Sequence, residues 1–200
     1  MKKLIAAAPH LKLIAAASAF TWLLAVATPA SAAQFNEARV TQIVNDVKLL
    51  LGQAAPRPAV VSELVRTGSA VRTGTQSRSE LTFADLTITR LGANTIFTFN
   101  QGTREMNLID GAILFQVPKG SGGATIRTVG VTAAITGTTG IGEYHPATTS
   151  NPHLFSKWLC LEGTFRVILA NGQSVELGPG KWSPPMARAS RKCRLLTSQN

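Results

Sequence analysis

Most enzymes work with histidine, cysteine and carboxylate, and this 200-residue chain has few of them: three histidines, two cysteines and ten acids. His10 falls in the N-terminal apolar stretch, which leaves His145 and His153 for a folded body. No serine stands in a Gly-x-Ser-x-Gly setting, and Asp46, Asp85 and Asp110 occupy turn-like positions, so Ser-His-Asp hydrolysis lacks its parts. Gly137-Thr138-Thr139-Gly140-Ile141-Gly142 is glycine-rich but has neither the lysine nor the following helix of a phosphate loop, and reads as a strand-to-turn transition. Glu143, Tyr144 and His145, with His153 and Cys160 downstream, form the one dense polar cluster. A zinc site wants three or four ligands on rigid elements, whereas two of these residues sit in a proline-containing loop. No catalytic residue, metal ligand or cofactor is expected, and the function is expected to reside in a surface.

Long apolar runs are also scarce, apart from one. Lys2 and Lys3 precede a largely apolar stretch from Leu4 to Ala27, followed by Pro29-Ala30-Ser31-Ala32. A basic start, an apolar middle and a small-residue cleavage site predict a signal-peptide helix over residues 1–32, cut after Ala32. The alternative is an uncleaved anchor. Its uncharged part, Leu13 to Ala27, is shorter than the ~20 residues that span a bilayer, and Lys12 interrupts any longer version. No later segment is apolar enough to cross a membrane, so the mature chain is expected in the periplasm or outside the cell.

Removing 32 residues leaves 168, enough for one domain with a real core. Lys2, Lys3 and Lys12 leave with the leader, so 17 bases face 10 acids, a balance of +7. Arg188, Arg191, Lys192 and Arg194 crowd the C-terminal end and no acid follows Glu176, which leaves the body at only +3. The excess thus belongs to a basic tail over 183–200. Either it holds an anionic envelope component or it keeps the tail soluble, and nucleic acid is not an expected partner. Arg66 and Arg72 could present side chains to an anionic sugar or phosphate, or simply form a solvated face. Cys160 and Cys193 would both be exported. One reading is a disulfide closing a loop of about 30 residues, contributing roughly 3 kcal/mol in the chain-entropy picture; the other is one buried and one free thiol.

From Glu80 to Leu177 the chain repeats one theme, alternating apolar residues followed by a turn on glycine or asparagine. Period-2 placement turns one side of an extended segment toward a core. Strands are predicted over 80–83, 86–91, 95–99, 106–109, 112–117, 125–128, 131–135, 159–161, 164–169 and 174–177. A bulge is expected near Arg90, where the alternation slips. Asp110-Gly111 is expected as a turn and 145–157 as a polar loop. Val65-Arg66-Thr67-Gly68 recurs as Val71-Arg72-Thr73-Gly74, with glycines that imply positive φ or close packing and a short strand between them. The predicted interior is Leu81, Phe83, Ile88, Phe97, Phe99, Leu108, Ile113, Phe115, Val117, Ile126 and Val167. Val40 to Leu51 fits one helical face, although Asn45-Asp46 within it is a turn dipeptide.

Val71-Arg72-Thr73-Gly74, then Ser77-Arg78-Ser79-Glu80-Leu81, Phe83-Ala84-Asp85, Thr89 through Thr95, and Leu108-Ile109-Asp110-Gly111-Ala112 follow in order. Together with Ile126-Arg127-Thr128, Ile135-Thr136-Gly137-Thr138 and Leu161-Glu162-Gly163-Thr164, this arrangement resembles the FecR-type domain of bacterial exported and membrane-bound proteins. The resemblance implies an all-β domain over 33–182, of short antiparallel strands in a twisted sandwich or solenoid-like roll. It also implies that Val40 to Leu51 runs as two strands around Asn45-Asp46 rather than as a helix. Family members that regulate iron transport carry a sigma-factor-binding segment, a membrane helix and a receptor-contacting domain, none of which is recognisable here. The resemblance therefore implies an exported, non-enzymatic binding or scaffold module with a protein or envelope-polysaccharide partner. Its alternatives are a signalling subunit relaying a cue to a membrane partner, and a metal- or carbohydrate-binding protein using the 143–153 loop.

Overall fold

The computed structural model describes residues 36–52, 54–100 and 102–184. The expected signal-peptide helix and the cluster Arg188, Arg191, Lys192, Arg194 lie outside them, as does Cys193. Among the described residues every regular element is a strand, and no helix is long and apolar enough to cross a membrane.

Among the described residues fifteen strands form two layers. The first runs β4 (Leu64–Arg66), β1 (Glu37–Val44), β6 (Arg78–Phe83), β7 (Ile88–Leu91), β9 (Glu105–Gln116), β12 (Thr139–His145), β13 (Phe155–Glu162). The second runs β3 (Arg57–Pro58), β2 (Val47–Leu51), β5 (Ser69–Thr73), β8 (Ile96–Phe99), β9 again, β10 (Ala124–Thr128), β11 (Val131–Ile135), β14 (Phe165–Leu169), β15 (Ser174–Leu177). All pairings are antiparallel except β9 with β10. The inner faces meet through large side chains: Phe83 packs edge-on against Phe99 at 5.1 Å, and Phe115 against Phe165 at 5.5 Å. Trp158, Phe115 and Phe165 form one aromatic group. Leu81, Phe97, Leu108, Ile113, Val117, Ile126 and Val167 are buried as predicted.

β9 joins the layers, and here the structure corrects the sequence reading. Asp110-Gly111 is not a turn, because one twelve-residue strand passes through it. Up to Asp110 it pairs with β8 and β10; from Gly111 onward it pairs with β7 and β12. Ile109 and Asp110 both face outward, so the alternation slips at this point, opposite a register shift between Ile96 and Phe97. The expected bulge therefore lies here rather than near Arg90, where β7 pairs without a shift on both sides. Gly111 has φ +97, and a Cβ on it would sit 2.6 Å from Thr95 Cα. Only glycine lets the strand cross so close to Thr95.

Other corrections follow from what fills the interior. Thr87 and Thr89 face the core while Ile88 is only half-buried, so the inward side of β7 is polar-apolar mixed and its apolar pattern misled. Leu86 is not in that strand; it sits in the turn with φ +65 and is exposed. Gly140 and Gly142 are inside β12 rather than in a turn, because they are the positions over which Phe115 and Trp158 lie. Phe155 to Lys157 belong to β13 and not to the expected loop. Val40 to Leu51 is divided between β1 and β2 at Asn45, whose φ of +59 makes the corner between layers. The repeated Val-Arg-Thr-Gly units are split likewise: Val65 pairs with Ala38 in the first layer, and Val71 with Leu49 and Phe97 in the second.

Candidate functional site

A concave surface lies on the outer face of the second layer. Strand register sets Glu105, Thr125, Ala134, Arg166 and Glu176 side by side across β9, β10, β11, β14 and β15. Small residues at the centre and long ones at the rims make a groove of about 500 Å³, completed at one end by Thr103, Arg104, Gly122 and Gly123. Its charged walls are internally balanced. Arg127 pairs with Glu105 at 2.6 Å, Arg166 with Glu176 at 3.7 Å, and Arg104 with Asp85. A groove of this kind offers hydrogen-bonding groups without net charge, which suits an uncharged or mixed-charge polymer better than a polyanion.

Arg104 is fixed by more than one contact. It donates to the Gly123 carbonyl and to the Asp85 carboxylate, and its guanidinium reaches Ser121 Oγ at 3.3 Å. Asp85 is almost fully buried and also accepts from the Thr87 backbone N–H at 3.0 Å and the Thr87 hydroxyl at 2.7 Å. One ion pair thus ties the β6–β7 turn of the first layer to the Ser121–Gly123 loop of the second. Asp85 does occupy a turn, as the sequence suggested, but its burial and its arginine partner were not legible from spacing.

The Glu143/Tyr144/His145 cluster lies on the opposite outer face. His145 Nδ1 is 2.9 Å from Asp110 Oδ1, and Nε2 is 3.2 Å from Glu143 Oε1; the ring stacks on Phe155 at 6.1 Å. Burial alone would lower the imidazole pKa, yet the hydrogen bonds to Asp110 and Glu143 outweigh it and raise it above the ordinary value. Two carboxylates on two ring nitrogens are both satisfied only by the imidazolium. The same contacts occupy the nitrogens a metal would need, and no group of three or more potential ligands is placed to hold an ion among the described residues. Tyr144 points into the core instead, where burial and the charge of Asp110 raise its pKa. His153 is exposed in the following loop. Asp110 joined this cluster unforeseen, because it looked like a turn residue.

The remaining candidates do not converge. Arg66 and Arg72 are both exposed but belong to different layers, so the repeat makes no joint basic patch. Cys160 is buried in β13, with its thiol directed to the carbonyls of Glu162 and Gly163; burial raises its pKa, partly offset by the Glu162 backbone. The body continues through Ser183, which is buried and exchanges two hydrogen bonds with the Trp158 backbone at 2.7 and 2.9 Å. Sequence reasoning also missed Thr73 and Thr95. They are buried threonines whose hydroxyls stitch strand backbones together: Thr73 to the Gly92 carbonyl at 2.6 Å, Thr95 to Ala112 at 3.1 Å.

Residues 69–154 match the family model described as FecR protein. Two crystal structures of a candidate anti-sigma factor from Parabacteroides distasonis ATCC 8503, at 1.65 and 2.50 Å resolution, are similar to the chain. Each aligns with a TM-score of 0.50, at 13% and 14% identity, over 60% of this chain and 59% of the other. The chain therefore spans under two thirds of those relatives, and at such identity the similarity speaks to the fold alone. No curated protein matches.

Proposed function

Taking as premise that residues 69–154 are a FecR domain, we propose that this protein is an exported, non-enzymatic binding module of the cell envelope. What carries the reading is the groove across β9, β10, β11, β14 and β15: an open surface of mixed polar and apolar lining on rigid strands, with each arginine beside a carboxylate. Rigid strands hold such a surface in one shape and keep the ordering cost of binding low. The basic-start, apolar-middle, small-residue pattern of residues 1–32 supports export. A protein or an envelope polysaccharide fits the balanced groove. A second reading is a signalling subunit that relays an extracytoplasmic cue to a membrane partner; the description of the similar crystal structures as a candidate anti-sigma factor favours it.

The test is capture from solubilised envelope on the immobilised chain, with the retained molecule identified by mass spectrometry or sugar analysis. Ala134→Arg fills the groove floor and should abolish retention while leaving the melting temperature unchanged. His145→Gln, on the opposite face, should retain the partner as the wild type does. Equal retention by Ala134→Arg overturns the groove reading, and loss only in His145→Gln transfers the site to the other layer.

A further inference from the structure

Among the described residues the two layers have four edge strands, and unprotected edges are templates for pairing with another chain. Three of the four are defended. β3 is two residues long and flanked by Pro56, with Pro58 within it, so it can donate little to a ladder. β4 is three residues long, and its inward Val65 is already 1% exposed, leaving no core margin to cover. β13 is covered by the segment that follows β15: Cys160 N–H donates to the Lys181 carbonyl at 3.1 Å, and Gly180 and Ser183 donate back at 2.8 and 2.7 Å. β15 has no such device. It has no proline, pairs with β14 alone among the described residues, and its inward Val175 is 36% exposed beside the fully buried Val167.

The polarity of that edge follows from the hairpin. Leu169 N–H donates to the Gln173 carbonyl at 2.8 Å, which makes Leu169–Gln173 a hydrogen-bonded pair. Such pairs alternate along an antiparallel ladder, so Val167–Val175 is the next one, and Ile168–Ser174 and Arg166–Glu176 are not. The N–H and C=O groups of Ser174 and Glu176 therefore point away from β14, toward the open edge. On the outer face Glu176 is exposed and only loosely paired with Arg166 at 3.7 Å. On the inner face Val175 leaves the core margin open.

We propose that β15 is a strand-addition site, and that its occupant is an extended segment of a partner protein with a basic residue opposite Glu176 and an apolar residue opposite Val175. This rests on the binding-module reading and assigns the partner class. The two backbone donors and acceptors of Ser174 and Glu176 supply the affinity common to strand addition. The side chains choose the sequence, since opposite charges across a pair of strands attract and like charges repel. A second copy of this chain is a poor occupant, because it would bring a second Glu176 to the same face.

The probes are three capped eight-residue peptides: alternating Val and Lys, alternating Val and Glu, and the Val-Lys peptide with a central proline. Hydrogen exchange and NMR shifts of the full chain report where each binds. The Val-Lys peptide should protect the Ser174 and Glu176 amides, and the other two should not. Ser174→Pro removes an outward donor without touching the β14 ladder, so the fold should survive while affinity falls about tenfold, the worth of one or two net hydrogen bonds. Glu176→Lys should reverse the preference in favour of the Val-Glu peptide. Shifts confined to the groove, or none up to the solubility limit, overturn the edge assignment while leaving the groove result from Ala134→Arg untouched. Protection present before any peptide is added also overturns it. In that case loss of protection on dilution points to a second copy, and loss on changing Arg188, Arg191, Lys192 and Arg194 to Gln points to the chain's own tail.

Discussion

Gly111→Ala is the sharpest test of the idea that β9 is one strand shared by two layers. Two separate costs apply. An alanine at φ +97 is in a region L-residues avoid, which costs about 1–2 kcal/mol. The new methyl would also sit 2.6 Å from Thr95 Cα and 2.8 Å from Thr95 Cβ, and the first of these is backbone that cannot rotate away. Overpacking of this kind adds about 1–3 kcal/mol. Moving Thr95 would in addition disturb its hydroxyl contacts with the Ala93 and Ala112 carbonyls and the Ala112 amide. The total is a loss of about 2–5 kcal/mol. The control is Gly172→Ala in the β14–β15 turn, where φ is +83 but nothing lies within 4 Å of the new methyl. That variant carries the conformational cost alone, about 1–2 kcal/mol. Urea unfolding followed by tryptophan fluorescence, with m-values compared to verify two-state behaviour, measures both. Equal losses in the two variants would mean that Gly111 is not packed against Thr95, and the description of the layer crossing would fail.

Three further outcomes are expected. Phe115 is fully buried against Trp158 and Phe165, so Phe115→Ala should cost about 3–5 kcal/mol; an unchanged melting temperature would show that the assigned inner face is wrong. Asp85→Ala leaves the Arg104 guanidinium without its carboxylate, and breaking a buried pair should cost about 3–5 kcal/mol, with Asp85→Asn milder; a surface-like loss below about 1 kcal/mol refutes the inter-layer tie. His145 has its pKa raised in the fold, so its stabilising effect is fully present below the unfolded value of about 6.5 and is lost as pH rises through the higher folded value. The stability difference between wild type and His145→Gln should thus be greatest in mild acid and shrink above neutrality, and an NMR titration midpoint at or below 6.5 would contradict the Asp110–His145–Glu143 geometry.

The sequence carried the period-2 signal faithfully wherever the inward residues were apolar, as in β6, β8, β10 and β14. It failed where the inward residues were threonine or glycine. Thr87 and Thr89 occupy core positions because each finds a partner in the interior: Thr87 bonds Asp85, and Thr89 contacts Met106 Sδ at 3.5 Å. Nothing in the local pattern announces such a partner. Gly140 and Gly142 look like turn residues until Phe115 and Trp158 are placed on them, and those come from twenty-five residues before and sixteen after, respectively. The candidate site was less legible still. The row Glu105, Thr125, Ala134, Arg166, Glu176 has no sequence spacing in common; it exists only because five strands align in register. Asp110 shows the same limit, since an Asp-Gly pair that ordinarily marks a turn here marks a strand changing layers.

The matched segment 69–154 begins at β5 and stops before β13, and the pairing pattern shows why it is smaller than the folding unit. Within it β5 lacks β2, β6 lacks β1, β11 lacks β14 and β12 lacks β13. Cutting the chain at those bounds would expose four strand edges at once, together with Phe115, whose packing partners Trp158 and Phe165 lie outside them. The flanking strands are thus what close the module. β14 and β15 also supply one wall of the groove and the open edge, while the 180–183 segment seals the edge at β13. The folding unit is therefore larger than the matched segment, and both the groove wall and the open edge depend on strands outside it.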